Sequence, residues 1–520
     1  MIPMVMPSIA DMFRRQAERY GARPALIFNG ESVTYGALNR TTNRVAQAML
    51  AAGVQPGERV AILAKNSARY FAVLGGAVKA RACLCPINFR LTVNEIAFIL
   101  RDMTPKIMFV SHESLAIAQQ ASVGLHPCPQ WIVIDAPPND PGSYEQWLQL
   151  GVDTDPYFEL QADEDAFLLY TSGTTGQPKG VRITHRNYAH MLESFAAVPG
   201  FAYRDGDTVT SMMPLFHIAG INVGMAGLSQ GCTVWPISDF SARPFLELLE
   251  NARVNHAFLA PAMIAALLQA PEAATTDFGS LTTIAYGGAP IAPEVLLRAQ
   301  SMFGCGFVQL YGMTESSGAG TYLDAAAHED PSKHGSCGVA WPGMEFRVVD
   351  ERGNDLAANR NGELLMRGGF LMPGYRNRPL ETREAICDGW LRTGDTGYRD
   401  DDGFVFIRDR MKDIIVSGGE NISPTEVENA IFGCPGVADV AVIGIPSAQW
   451  GEEVKAIVVL SPGASADADG IIAWTKRHIA AYKAPKSVDF VGALPRNAAG
   501  KILKRELRAP YWQGRARQVN

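Results

Sequence analysis

The sequence predicts an α/β chain built on doubly wound sheets and ending in a smaller α+β unit. Three observations predict it. Short apolar runs alternate with helix-patterned segments through the first half, which argues for largely buried parallel strands. The texture changes after Arg410. The 520 residues, at ~150 per domain, make roughly three to four structural units, enough to bury a core without disulfides or metal.

The elements follow in order. Ser8 with Asp11 makes a capping box, and Ile9, Met12, Phe13, Ala17 and Tyr20 share the face of the helix behind it. Thr34 caps a second helix that keeps Leu38, Val45 and Met49 in register until Gly53 stops it. Val60–Ala64, Ile107–Val110, Trp131–Ile134, Thr208–Met212 and Thr233–Ile237 read as strands. Segments Gly335–Gly343 and Gly368–Tyr375 are rich in turns. Beyond Arg410, a strand (Ile414–Val416), a helix (Pro424–Phe432), two strands (Val437–Ile445 and Val454–Leu460) and a helix (Ile471–Ala480) form the α+β unit. The boundary is placed between Asp409 and Asp413, giving domains 1–409 and 410–520.

Composition narrows the function. Lys plus Arg is 46 against 53 Asp plus Glu, a net charge of −7 with no local basic stripe, so no nucleic-acid partner is expected. Eight cysteines are too few for a disulfide scaffold, and Cys83 with Cys85 lacks the second pair or histidines that zinc requires. No run approaches the ~20 apolar residues of a membrane span, and no cationic stretch precedes the apolar N-terminus. A cytoplasmic enzyme is the expectation, with oligomeric state left open, a homo-oligomer included.

In such sheets ligands sit beyond the carboxyl ends of the strands. Tyr170-Thr171-Ser172-Gly173-Thr174-Thr175-Gly176-Gln177-Pro178-Lys179-Gly180 follows the apolar run Phe167–Leu169. Its glycines let backbone amides face a ligand, its hydroxyls donate, and Lys179 adds a point charge, together a polyphosphate cradle. It is not a Walker A loop, because Lys179 precedes Gly180 and Pro178 removes a donor where a helix should start. Gly304-Cys305-Gly306 imitates a dinucleotide loop but has Gln309 at the third glycine position and no helix after it.

Further motifs recur in order: Tyr286-Gly287-Gly288-Ala289-Pro290, Tyr311-Gly312-Met313-Thr314-Glu315, Trp390-Leu391-Arg392-Thr393-Gly394-Asp395, Asp409-Arg410-Met411-Lys412-Asp413, Ser417-Gly418-Gly419-Glu420-Asn421 and Pro495-Arg496-Asn497-Ala498-Ala499-Gly500-Lys501. With the Thr171–Lys179 loop they span essentially the whole chain. On these motifs the sequence resembles the adenylate-forming superfamily of acyl-CoA synthetases, peptide-synthetase adenylation domains and firefly-type luciferases.

The resemblance implies a large multi-subdomain N-terminal domain and a small mobile C-terminal domain. It implies that Thr171, Ser172, Gly173, Thr174, Thr175, Gly176 and Lys179 cradle ATP phosphates. It further implies that Gly288, Ala289 and Pro290 line the adenine pocket, and that Tyr311, Gly312 and Thr314 contact the nucleotide. Asp395 and Arg410 would hold the ribose, and Glu315 would be the Mg²⁺ ligand. Lys501, Glu315, Thr174 and His217 are the expected catalytic residues. Lys412 is the implied hinge, and Ser417, Gly418, Gly419 and Glu420 line the implied coenzyme A channel. Lys483 and Lys486 are candidates for the phosphates of coenzyme A.

The implied reaction joins an acid to AMP and then to the thiol of coenzyme A, with ATP, Mg²⁺ and a small carboxylic acid as the other participants. Gly318, Ala319, Gly320, Gly224 and Ala226 are read as leaving room for a large apolar tail, so a medium- or long-chain fatty acid is expected. Aryl and steroid-side-chain acids, a carrier protein loaded in trans, and luciferase-type oxidation are the alternatives.

Overall fold

The computed structural model describes residues 8–513 except 160, 172–177, 290, 292, 411–412, 418–419, 448 and 497–501. A large N-terminal domain and a small C-terminal one hold four sheets among the described residues. Six strands, in the order Gln130–Val133, Ile107–Val110, Arg59–Leu63, Cys83–Pro86, Asp165–Thr171 and Lys179–Thr184, form the first. It is parallel except for the last strand. The second has nine strands, whose central run is Gly306–Gly312, Thr283–Gly287, His256–Leu259, Thr208–Ser211, Thr233–Pro236 and Pro24–Phe28, all parallel. Both match the doubly wound expectation. The strands read from the sequence are present with ends shifted by at most three residues.

Local chemistry sets the helix ends as expected. The Ser8 hydroxyl accepts the Asp11 N–H at 3.1 Å while the Asp11 carboxylate accepts the Ser8 N–H at 3.2 Å. Thr34 Oγ1 accepts the Ala37 N–H at 3.2 Å, and the helix it starts, Tyr35–Ala51, packs on Ala68–Lys79. At Gly76 a built Cβ would lie 2.3 Å from Val45 Cγ1, so only glycine permits this approach. Cys83 and Cys85 are buried thiols.

The helix pair encloses a charge. Lys79 is buried, and its Nζ donates to Asn39 Oδ1 at 2.6 Å and Asn43 Oδ1 at 2.5 Å, with Asp155 Oδ2 at 3.3 Å. Arg14 grips the same Asp155 through two nitrogens at 2.9 and 2.8 Å. Burial pushes the Lys79 ammonium down to about 8 against the pull of Asp155. Burial also pushes the Asp155 carboxyl up, but the Arg14 hydrogen bond and the Lys79 charge outweigh it and hold it at about 2. A carboxyl depressed in the folded state adds stability above its unfolded value, and this is lost as pH falls through the folded one. Asp155→Asn is expected to cost about 2 kcal/mol near neutral pH. Its thermal midpoint should converge on wild type as pH falls from ~5 toward ~2; a constant gap across that range would contradict the assignment.

A third, antiparallel sheet was not anticipated. It runs Met344–Val349, Gly362–Gly368, Trp390–Arg399 and Ile386–Cys387, with Val405–Arg410 on the same edge of Trp390–Arg399 as Ile386–Cys387. The small domain's sheet runs Glu420–Ile422, Ile415–Ser417, Gly451–Leu460 and Val437–Ser447, with Ser487–Phe490 parallel to Gly451–Leu460. Helices Pro424–Phe432 and Ala468–His478 match the expected pair. No helix among the described residues is long and apolar enough to cross a membrane.

Candidate active site

The phosphate-loop candidate joins antiparallel neighbours: Asp165–Thr171 enters it and Lys179–Thr184 leaves it, with Thr171 opposite Lys179. A strand, not a helix, follows Pro178, which sets the loop apart from a Walker A loop. Ser172, Gly173, Thr174, Thr175 and Gly176 lie outside the described residues. Lys179 places its Nζ 5.0 Å from the centre of the Tyr375 ring, a cation–π contact.

Tyr375 connects Lys179 to Glu315. Its hydroxyl donates to Glu315 Oε1 at 2.8 Å, and the Met372 N–H donates to the Glu315 carbonyl at 2.8 Å. The segment carrying Tyr375 is held on the loop's exit strand, since Arg376 N–H donates to the Gly180 carbonyl at 2.8 Å. Burial, then the Glu315 charge, raises the Tyr375 hydroxyl above its ordinary value, so it stays a donor. Sequence reading missed Tyr375. Its signal was the turn-rich segment Gly368–Tyr375, which gave no role for a side chain.

Glu315 is 9% exposed in a single turn, Thr314–Ser316. No group of three or more His, Cys, Asp or Glu could hold a metal among the described residues. A lone buried carboxylate instead suits Mg²⁺, which keeps its waters and takes other ligands from substrate phosphates. Glu315, oriented by Tyr375, fits that ion.

Parallel pairing aligns two other motifs. Gly287 stands opposite Leu310, so Gly288-Ala289 and Tyr311-Gly312 emerge at the same carboxyl edge. Gly288 has φ +79° and open space where a Cβ would project; Pro290 lies outside the described residues. The Tyr286 ring turns inward, with its hydroxyl 2.8 Å from His328 Nε2. At Gly312 a Cβ would lie 2.3 Å from the Gly318 carbonyl. Tyr311 donates its hydroxyl to Asp395 Oδ2 at 2.6 Å, and Asp395 N–H donates to Thr393 Oγ1 at 3.0 Å. One carboxylate oxygen of Asp395, 4% exposed, is thus fixed by Tyr311. Asp395 pairs in register with Arg410 across the third sheet, which brings these two backbone positions side by side.

His217 caps helix Ile218–Ser229 without a side-chain cap bond. Its ring packs on Phe216 at 4.7 Å, and its Nε2 is buried with no hydrogen-bond partner among the described residues. Burial, then the Arg90 charge, pushes it down to about 4, so it is neutral near physiological pH.

The small residues behind it do not leave the room expected. A Cβ at Gly224 would lie 2.4 Å from the Phe71 ring, and one at Gly318 2.6 Å from the Asn222 amide nitrogen. At Gly320 it would meet the Tyr311 carbonyl at 2.3 Å. Ala226 and Ala319 are buried. These positions are small because neighbouring groups fill them.

In the small domain, Ser417 and Glu420 face each other across a hairpin whose Gly418 and Gly419 lie outside the described residues, as do Lys412 and Lys501. Arg496 pairs with Ile502 across the segment that carries Lys501, and Arg496 Nη2 donates to Asp439 Oδ2 at 2.6 Å. Lys483 donates to both carboxylate oxygens of Glu426, at 2.6 and 2.7 Å, whereas Lys486 is exposed.

Known proteins match this arrangement. The AMP-binding enzyme family model covers residues 13–376, and the AMP-binding enzyme C-terminal domain covers 426–501. Fatty acid–[acyl-carrier-protein] ligase ScoC of Streptomyces coeruleorubidus is 36% identical over 97% of this chain and 96% of its own. Feruloyl-CoA synthase of an Amycolatopsis species is 36% identical over 96% and 98%. A solved fatty acyl CoA synthetase of Mycobacterium tuberculosis superposes with a TM-score of 0.77 at 34% identity, over 97% of this chain and 98% of that one. The chain belongs to the AMP-binding enzyme family, within its adenylate-forming acid–thiol ligases.

Proposed function

We propose that this enzyme is an AMP-forming ligase that joins a medium- or long-chain fatty acid to coenzyme A through an acyl-AMP. The observation that carries the adenylation reading is the Lys179–Tyr375–Glu315 contact chain beside the Tyr311–Asp395 pair, at the carboxyl ends of the strands. Attack of a carboxylate on a triphosphate brings two anions together, so the site needs positive charge and aligned donors more than a base. Lys179 and the Thr171–Gly176 loop meet the phosphates, Asp395 and Arg410 the ribose, and Gly288-Ala289-Pro290 with Tyr311 the base. Mg²⁺ bound at Glu315 offsets phosphate charge. Lys501 meets the acid's carboxylate and the α-phosphate.

For the second step the small domain, bounded between Asp409 and Asp413, turns about Lys412 and brings the Ser417–Glu420 loop to the thiol. Neutral His217 stands beside the acyl group and the thiol's entry. The uncharged helix Ile218–Ser229 supports an apolar acid. An aryl acid is the second reading, favoured by Phe71 and Asn222 filling the space behind Gly224 and Gly318.

The test is pyrophosphate release with octanoate, palmitate, ferulate and a sterol side-chain acid, each with coenzyme A, with a phosphopantetheinylated carrier protein, or with neither. The fatty acids with coenzyme A are expected to give the highest kcat/KM. A higher value with ferulate overturns the acid, and one with the carrier overturns the acceptor. Tyr375→Phe keeps the ring against Lys179 and removes the hydroxyl from Glu315. It is expected to slow acid-dependent ATP–pyrophosphate exchange about tenfold, the effect of one hydrogen bond to a charged group. An unchanged rate would show that Glu315 needs no such support.

A further inference from the structure

The loop assigned to the thiol step is anchored by a carboxylate that the mechanism does not use. Strands Ile415–Ser417 and Glu420–Ile422 form a hairpin at the edge of the small domain's sheet, and Ser417 pairs with Gly451 of the long strand Gly451–Leu460. The next residue of that strand, Glu452, is 2% exposed, and its Oε2 accepts the Val416 N–H at 3.1 Å.

The surroundings are shaped around this carboxylate. On the neighbouring strand Val437–Ser447, a Cβ at Gly444 would lie 2.8 Å from Glu452 Oε2 and 3.3 Å from Ile415 Cγ1. A side chain there would displace the carboxylate from its present place. The Gly444 carbonyl is itself held by Trp512 Nε1 at 3.0 Å, so the far side of the strand is fixed as well. Keeping a carboxylate in a domain interior is costly, and an apolar residue of similar volume is often as stable or more so. The carboxylate supplies a charge-assisted, directional bond to the Val416 amide. Val416 immediately precedes the Ser417–Glu420 loop.

We propose that Glu452 is a positioning residue for thioester formation. Its bond to Val416 fixes the height and twist at which the hairpin presents its loop, while the adenylation groups on the large domain do not depend on it. This rests on the reading that the Ser417–Glu420 loop serves the thiol step.

The experiment compares Glu452→Gln and Glu452→Ala with wild type in two half-reactions: acid-dependent ATP–pyrophosphate exchange, and conversion of supplied acyl-AMP with coenzyme A to thioester. Thioester formation is expected to fall about tenfold in Glu452→Ala, which removes the acceptor, and by less in Glu452→Gln, whose amide oxygen still accepts from Val416 but without the charge. Exchange should stay within about twofold, which also reports an intact small domain, because Lys501 belongs to it. Amide hydrogen exchange should rise across residues 415–422 and stay unchanged in helix Pro424–Phe432. Equal loss in both half-reactions, or no loss in the second, overturns the proposal. A wild-type enzyme that makes acyl-AMP but no thioester would instead remove the reading on which it rests.

Discussion

Lys501→Ala is expected to lose about 10²–10³ in acid-dependent ATP–pyrophosphate exchange, the usual effect of removing one preorganised electrostatic group. It should keep most of its conversion of supplied acyl-AMP to thioester. The asymmetry follows from charge. In the first step an anionic carboxylate approaches a polyanion, and a compact ammonium between them lowers the repulsion as the new bond forms. In the second step the nucleophile is a thiol, a few per cent of which is already thiolate near neutral pH at a pKa of ~8.5. The carbonyl under attack is already activated, so that step has no need of the same cation. Arg496 and Ile502, the described residues on either side of the segment carrying Lys501, pair with each other, and Arg496 forms an ion pair with Asp439. Lys501→Arg should not rescue, since a planar guanidinium cannot replace a point charge at the same reach. Equal loss in both half-reactions would remove Lys501 from the adenylation step.

Glu315→Gln should lower the same exchange by about 10², with a higher Mg²⁺ concentration needed for half-maximal rate. The amide oxygen still accepts from the Tyr375 hydroxyl, so the turn Thr314–Ser316 keeps its anchor and the substitution removes charge with little change in shape. Its effect should exceed that of Tyr375→Phe, because the first removes a ligand and the second only its orientation. A Tyr375→Phe loss as large as that of Glu315→Gln would mean that Tyr375 acts on the nucleotide directly. An unchanged Mg²⁺ dependence in Glu315→Gln would place the ion elsewhere.

Much of this site was legible because it lies in contiguous motifs at strand ends. The phosphate loop itself was legible in its glycines, hydroxyls and Lys179, and Pro178 told it apart from a Walker A loop. The parallel pairing that aligns Gly288 with Tyr311 followed from alternating strands and helices. What escaped the sequence depends on partners far away in the chain. Tyr375 reaches Glu315 across 60 residues and acts through one hydroxyl from an irregular segment. Gly224 and Gly318 looked like spare room, because no local pattern shows that Phe71 and Asn222 occupy it. The third sheet hid because strands such as Met344–Val349 expose part of one face, so their apolar runs are broken. The Lys79–Asp155 pair joins a helix to a later connecting segment, and an isolated lysine carries no sign of burial.

The proposed chemistry activates an organic acid by bonding it to a nucleotide monophosphate before the thiol reacts. The direct measurement is to follow ATP by phosphorus NMR with Mg²⁺ and a fatty acid, in the absence of coenzyme A. Acid-dependent formation of pyrophosphate and a single enzyme-bound acyl-AMP phosphorus are expected, with free AMP released on adding the thiol. Acid-dependent appearance of ADP and an acyl phosphate, the products of carboxylate attack at the terminal phosphate, would contradict that chemistry.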